Sequence, residues 1–491
     1  MASTENAPLN PGISNSEKDP LLYDLVVDSD GFVDFTEHSN VKPRNWLARR
    51  KAYNLGFLLD FITTAISAAG TPAAEFAKEE LHISHTQSLF GFTSIYLIGQ
   101  GLGGLVFSPF SEAFGRRWLY IISSFAYSGS CVLVGVAPNA TAAIVGRFLS
   151  GVLSSIPKVI VSGSIEDLYD SEARIWIFFI WNVTVNCSLI FGPIYAAYVA
   201  MVLGWRWIFH IAAIILAIVS VMLFSIRESR QGLLLSKQVA QLQKLNPHQH
   251  YQVSKAARQP SFQEFVQVAL VRPWILLFTE PIVSLTATLK AIPIVYDDFG
   301  LSMRQSMLIL LFIALGLISS VLTRFYDRLV ARRRRRASLP LKPEDKLIGF
   351  IIAAPLLAIS LWWFAWSIPP KMKSVPWIVS AISLVPLGYA TNEFDTVLGG
   401  YLADSYPNYA ASAFTSLSLL RAFLSAAFPL FTDQLFVGLG NNLAGSVLAS
   451  VATLFFVVPI IFVKYGERLR MKSQFNMPDS TRTMPRNAGT H

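Results

Sequence analysis

The chain has 491 residues, of which 53% are hydrophobic and 14% charged, with a mean hydropathy of +0.46. A soluble protein carries about 25% charged residues, so the apolar excess belongs in lipid and a water-soluble fold is excluded. The formal net charge of +9 would suit nucleic acid or a membrane surface, and the placement of the basic residues decides between them.

In chain order, a polar N-terminal tail (1–52) comes first. It lacks the basic-then-apolar pattern of a cleavable signal peptide, so the first apolar run is expected to insert the chain. Twelve apolar stretches of roughly 20 residues follow, the length a helix needs to cross the hydrocarbon core. They are 53–74, 87–109, 118–137, 140–163, 175–199, 207–225, 273–296, 305–324, 347–366, 376–400, 410–434 and 442–464. The expectation is an all-α membrane protein with two pseudo-symmetric six-helix bundles, 53–225 and 273–464. A central loop (226–272) joins them and a C-terminal tail (465–491) follows. In that loop "SFQEFVQVA" sets Phe262, Phe265 and Val266 at i, i+3, i+4, the pattern of a helix lying on the membrane surface.

Basic residues set the orientation. "RNWLARRK" before span 1, "GRR" between spans 2 and 3, "ARRRRR" between spans 8 and 9 and "KYGERLRMK" after span 12 all fall on one side of a twelve-span chain. The loops "APNAT" and "GLGNN" on the other side are free of charge. Short cytoplasmic loops carry the Lys/Arg excess, so both termini are expected in the cytoplasm and no nucleic-acid partner is implied.

Several chemistries drop out. The two cysteines, Cys131 and Cys187, lie in apolar runs, and "HISH" and "HQH" are sparse, so neither a disulfide framework nor a metal site is expected. No G-x-x-x-x-G-K-[ST] motif supports an ATP-driven pump. In "LIGQGLGGLVF", Gly99, Gly101 and Gly104 have dinucleotide-loop spacing, but no strand precedes them. Gly99 and Gly103 are expected instead to form a smooth face on span 2 for close helix packing.

Ionisable groups inside spans are costly and are functional candidates. These are Asp60, Arg147, Lys158, Glu280, Lys290, Glu393, Asp395 and Arg421; the plain alternative for each is a structural ion pair or a snorkelling side chain. Proton coupling needs a carboxylate whose desolvation favours protonation and whose exposure alternates, which singles out Asp60 and Glu280, with Arg147 as the positive partner. Two connections place an acid before a basic cluster, Glu112 in "SPFSEAFGRRW" and Asp327 in "TRFYDRLVARRRRR". Gly115 can take the positive φ of a tight turn, and Arg116 and Arg117 can bond to Glu112, helix ends or lipid phosphate.

These motifs resemble those of the major facilitator superfamily, within it the fungal twelve-span drug:proton antiporters. The similarity runs from Asn45 to Arg470 and includes "SPFSEAFGRRWLY", "VGRFLSGV", "LIFGPIYAAYV", "GWRWIFHI", "RPWILLFTEPI", "GGYLADSYPNYAASA" and "LLRAFLSAAFPLF". The resemblance implies that Glu112, Gly115, Arg116, Arg117, Asp327 and Arg328 form a conformational latch. It makes Gly192 and Pro193 the antiporter motif, associated with export, and places Arg147 on the span 4 arginine. It also suggests that the span 2 glycines meet span 11. Lys158 in "SSIPKVIV" and the acids Glu393 and Asp395 in "NEFDTV" depart from the family pattern and are candidates for a cavity or network with Arg421.

The expected activity is export of an organic small molecule, a drug, toxin or secondary metabolite, in exchange for protons; import or facilitated diffusion is the alternative. No catalytic residue and no cofactor beyond the proton gradient is expected. The plasma membrane is the expected location, with the vacuolar membrane as the alternative. A monomer is compatible with this reading, and the oligomeric state is left open.

Overall fold

In the computed structural model the described residues are 25–27, 32–245, 247, 251–253, 282–338, 346–370, 375–405, 410–457, 459, 460 and 464. Glu280 and the surface-helix segment 261–269 lie outside them. Helix occupies each of the twelve expected spans among these residues. Among the described residues, seven helices are long and apolar enough to cross a membrane, or eight counting a bent pair.

Span 1 is that bent pair, Phe57–Ala68 and Gly70–Glu80, which meet at 44°. Pro72 supplies a reason for the break, since it has no N–H and its ring crowds the carbonyl four residues back. A Cβ on Gly70 would lie 2.4 Å from the Phe92 carbonyl oxygen, so the broken segment is tucked against span 2.

Span 2 starts with a capping box at Ser84 and Gln87 and runs from His85–Leu89 through a π turn, Phe90–Ser94, into Ile95–Phe114. Spans 3 to 6 are Arg117–Gly135, Ala140–Leu168, Ser171–Leu203 and Trp205–Leu223. Asn139 and Asp170 cap spans 4 and 5 through their side chains. Span 7 is described over Ile282–Asp297. Span 8 is a succession of Met303–Leu308, Leu310–Ser319 and Val321–Arg336, and spans 9 to 12 are Ile348–Ser367, Trp377–Ser405, Ala410–Leu439 and Asn441–Leu454. The stretch read as the connection after span 8 is therefore helical, because "TRFYDRLVARRRRR" contains no glycine or proline to stop it.

Two buried cores correspond to the two bundles. One gathers residues of spans 1 to 6, such as Phe92, Tyr127 and Phe209; the other gathers residues of spans 7 to 12, such as Tyr296, Phe350 and Phe394, with Ile190 and Ala197 of span 5 joining it. The bundles meet where span 5 packs on spans 8 and 10 and span 2 packs on span 11.

Part of the N-terminal tail is structured. Leu25–Val27 (β1) pairs antiparallel with Phe32–Phe35 (β2), which pairs in parallel with Gln252–Val253 (β3) of the central loop. Leu25, Val33 and Phe35 pack on Leu235, Val239 and Leu242 of the helix Gln231–Leu245, so tail and loop share one small core. The period-2 pattern of "FVDF" carried this signal.

Candidate functional site

Between the bundles lies a cavity of about 820 Å³. It reaches from the middle of the spans to the side opposite the basic loops, where Glu75, Lys78 and His85 of spans 1 and 2 and Asp298 and Leu301 of the connection after span 7 line its mouth. Its walls are largely apolar, with Leu97, Val159, Val185, Leu189, Ile294 and Met307. Four charges stand in its inner part: Asp60, Lys158, Asp395 and Arg421.

Each of the four has a defined setting. Asp60 is 0% exposed; one carboxylate oxygen accepts from Trp181 Nε1 at 2.7 Å and the other from Thr64 Oγ1 at 3.4 Å. Lys158 donates to Gln100 Oε1 at 3.2 Å, and Gln100 is held by Ser154 Oγ at 2.9 Å. Asp395 accepts from Arg421 Nη2 at 2.8 Å and, on its other oxygen, from Asn186 Nδ2 at 3.1 Å. The charges of Asp60, Arg421 and Asp395 all bear on Lys158.

Arg147 is elsewhere. It is 0% exposed, lies inside the N-terminal bundle away from the cavity wall, and donates to main-chain carbonyls, Phe92 O at 2.8 Å and Ile66 O at 3.4 Å. Its guanidinium lies over the rings of Tyr96 and Phe209. Those carbonyls belong to the π turn of span 2 and the end of the first half of span 1, so the arginine ties the irregular parts of two helices together. In this structure the cation whose charge bears on Asp60 is Lys158, and Arg147 makes its hydrogen bonds elsewhere.

On the basic side the cavity is closed by contacts between bundles. Trp176 of span 5 meets Phe325 of span 8 edge-on at 5.6 Å. Asn182 donates to Thr396 at 3.3 Å, and Asn186 reaches Asn392 and Asp395 of span 10. Each bundle also carries a charged cluster there. Gly115, at φ +89°, makes the turn after span 2, and Arg116 and Arg117 donate backbone N–H to the Glu228 carboxylate. The Arg116 guanidinium bonds to Asp167 at 2.9 Å, Ile160 O and Ser164 Oγ, while Arg117 donates to Phe224 O. The side chain of Glu112 lies outside the described residues. In the other bundle Arg324 holds Asp327 at 2.8 Å and Glu393 at 2.5 Å. Asp327 is thus buried on a helix and paired one turn back, rather than serving the basic cluster after it, and Arg328 is exposed. Glu393 belongs to this cluster and not to the cavity.

The glycines also sort by neighbour. A Cβ on Gly99 or Gly103 would lie 2.6 Å from Phe148 O or 2.4 Å from Val152 O, so these residues let span 2 approach span 4 within one bundle. The residue that faces span 11 is Gly101, beside Ala422 and Leu419. A Cβ on Gly192 would lie 2.2 Å from Ala65 O of span 1, and Pro193 lines the cavity.

The family model of the Major Facilitator Superfamily matches residues 55–429. The chain belongs to that superfamily. It is 31% identical to the efflux pump FUBT of Fusarium oxysporum over 84% of this chain and 72% of the relative. It is 30% identical to the major facilitator-type transporter sorT of Penicillium rubens, covering 96% and 91% of the two chains. It is 27% identical to the multidrug transporter TPO1_2 of Candida glabrata, covering 88% and 77%. The proton:xylose symporter XylE superposes with a TM-score of 0.62 at 16% identity, covering 84% of this chain and 94% of that one, which supports the fold. The protein is a multi-pass membrane transporter of small organic molecules.

Sequence reasoning about this major facilitator missed Trp181, Asn186, Asp167, Glu228 and Arg324. Asp167 and Arg324 are ionisable residues at span ends that could have been flagged. Trp181 carries no signal in the sequence, since composition says nothing of which face a tryptophan takes.

Proposed function

We propose that this transporter exports an organic small molecule by alternating access in exchange for protons, with its basic side and both termini in the cytoplasm of the plasma membrane. The cavity carries the reading: it is large, mostly apolar, open on the side away from the basic loops and closed on the other, as an exporter is when it releases substrate. Apolar walls with a few fixed polar groups suit partly hydrophobic organic molecules. Asp60 is the proton site, because it is a carboxylate at the inner end of the cavity, and access to that cavity alternates between the two sides when the bundles rock. Glu280 stays a second candidate on sequence alone. The contacts of Trp176 with Phe325 and of Asn182 and Asn186 with span 10 hold the cytoplasmic side shut, and the clusters at Arg116 and Arg324, with Gly115, Arg117 and Asp327, serve as the latch by bracing the span ends that carry those contacts. Gly192 and Pro193 are the export determinants that the family resemblance implies. The relatives named efflux pumps and a multidrug transporter support outward transport.

The test is release of a panel of labelled organic acids, amines and neutral metabolites from cells that lack or overproduce the transporter, with and without a proton uncoupler. Export predicts faster loss of at least one compound on overproduction and its retention once the uncoupler is added. Release that ignores both genotype and uncoupler overturns the reading.

A further inference from the structure

Among the described charged groups of the inner cavity, the two carboxylates are already engaged by donors. Asp60 has Trp181 and Thr64, and Asp395 has Arg421 and Asn186, with each oxygen accounted for. An ammonium group entering the cavity would have to displace one of these donors. Lys158 differs. Its one described hydrogen bond is to the neutral carbonyl oxygen of Gln100, whose orientation Ser154 fixes, and an ammonium has three protons to give. No ion pair within 4.0 Å holds it among the described residues; the carboxylates whose charges reach it, Asp60 and Asp395, keep their own donors, and the wall beside it includes Ser155, Val159 and Leu97. A lysine in a span with one neutral hydrogen bond and its carboxylates beyond 4.0 Å is costly unless something closer pairs with it.

We propose that Lys158 is the recognition group for an anionic substrate, so that the exported molecule is an amphiphilic organic acid whose carboxylate binds Lys158 while its apolar body lies against Val159, Val185, Leu189 and Met307. This rests on the export reading above and names its substrate class. Arg421, in the same cavity, adds positive potential although it is bound to Asp395. The mouth carries Glu75, Asp297 and Asp298 against Lys78. That balance disfavours rebinding of an anion released there.

The experiment uses the full-length transporter purified in detergent and three radiolabelled probes on one skeleton, para-butylbenzoate, para-butylbenzamide and para-butylbenzylamine, with binding read by equilibrium dialysis at neutral pH. The wild type is expected to bind the carboxylate at least about tenfold more tightly than the amide or the amine, the size of one charge-assisted hydrogen bond. Lys158→Met should remove that preference while leaving amide binding within about threefold, and Lys158→Arg should keep it. Each variant is used only as a monodisperse peak in gel filtration, and Gln100→Leu provides a second route to the same loss by releasing the lysine. An amine or amide that binds as well as the carboxylate, a carboxylate that does not bind, or a Lys158→Met variant with unchanged preference overturns the proposal. The efflux panel separates the two readings. If neutral compounds depend on the transporter and acids do not, export stands and the carboxylate assignment falls; if no compound depends on it, export falls.

Discussion

Arg147 and Lys158 sit on the same helix, about 16 Å apart along its axis at 1.5 Å per residue, yet the protein treats their charges in opposite ways. Arg147 is clamped by carbonyls of spans 1 and 2 under two aromatic rings. Lys158 faces the cavity with a single neutral partner described for it. The same contrast holds in the C-terminal bundle, where Arg324 closes on Asp327 and Glu393 while Asp395 and Arg421 look into the cavity. A charge enclosed within one bundle and away from the cavity wall holds that bundle in shape. A charge on the cavity wall has surroundings that change when the bundles move, and those are the groups available for transport.

Substitutions can break this division. Arg324→Met leaves two buried acids without their cation and should cost the most, about 3–5 kcal/mol, seen as loss of the monodisperse peak or a large drop in thermal unfolding temperature. A further Glu393→Gln, Asp327→Asn pair of changes should restore much of it; no recovery would mean the arginine does more than balance these acids. Arg147→Met should cost about 3 kcal/mol, because it strands the Phe92 and Ile66 carbonyls, and Arg147→Lys should rescue little, since one ammonium cannot reproduce the spread of the guanidinium. Wild-type stability of Arg147→Met with lost transport would move the residue into the other class.

Among the glycines, Gly103→Leu should destabilise the N-terminal bundle by about 1–3 kcal/mol, since its side chain meets the Val152 backbone. Gly101→Leu meets Ala422 and Leu419 of the other bundle. It should leave the unfolding temperature nearer to wild type and slow efflux more, and the reverse ranking would contradict the placement of the moving seam. The smallest effect on stability is expected for Lys158→Met, within about 1 kcal/mol of wild type, because the lost attraction of Asp60 and Asp395 and the bond to Gln100 are offset by no longer burying an ammonium.

The division was only half legible in the sequence. Apolar runs of span length gave the twelve helical regions, and the cost of charge in lipid singled out Asp60, Arg147, Lys158 and Asp395 without the fold. What each charge does depends on which neighbour its helix face meets, and that is a tertiary property. Arg147 looked like a partner for Asp60 because both are ionisable and in one bundle; the carbonyls that hold it lie near the break of span 1 and in the π turn of span 2, and no local pattern says that they face Arg147. Gly99 and Gly103 had the spacing of a packing face, but spacing cannot say whether span 4 or span 11 lies opposite. Glu228 collects four backbone N–H groups from two segments of the chain, a role that no local pattern announces.

The central claim is that Asp60 couples the cavity to protons. Its most direct test is uptake of the strongest compound of the efflux panel into inverted vesicles with an imposed pH gradient, comparing wild type with Asp60→Asn. The account predicts that the wild type accumulates the compound only while the gradient persists, and that Asp60→Asn loses gradient-driven accumulation but still exchanges labelled for unlabelled compound. Accumulation by Asp60→Asn with the wild-type dependence on the gradient would contradict it.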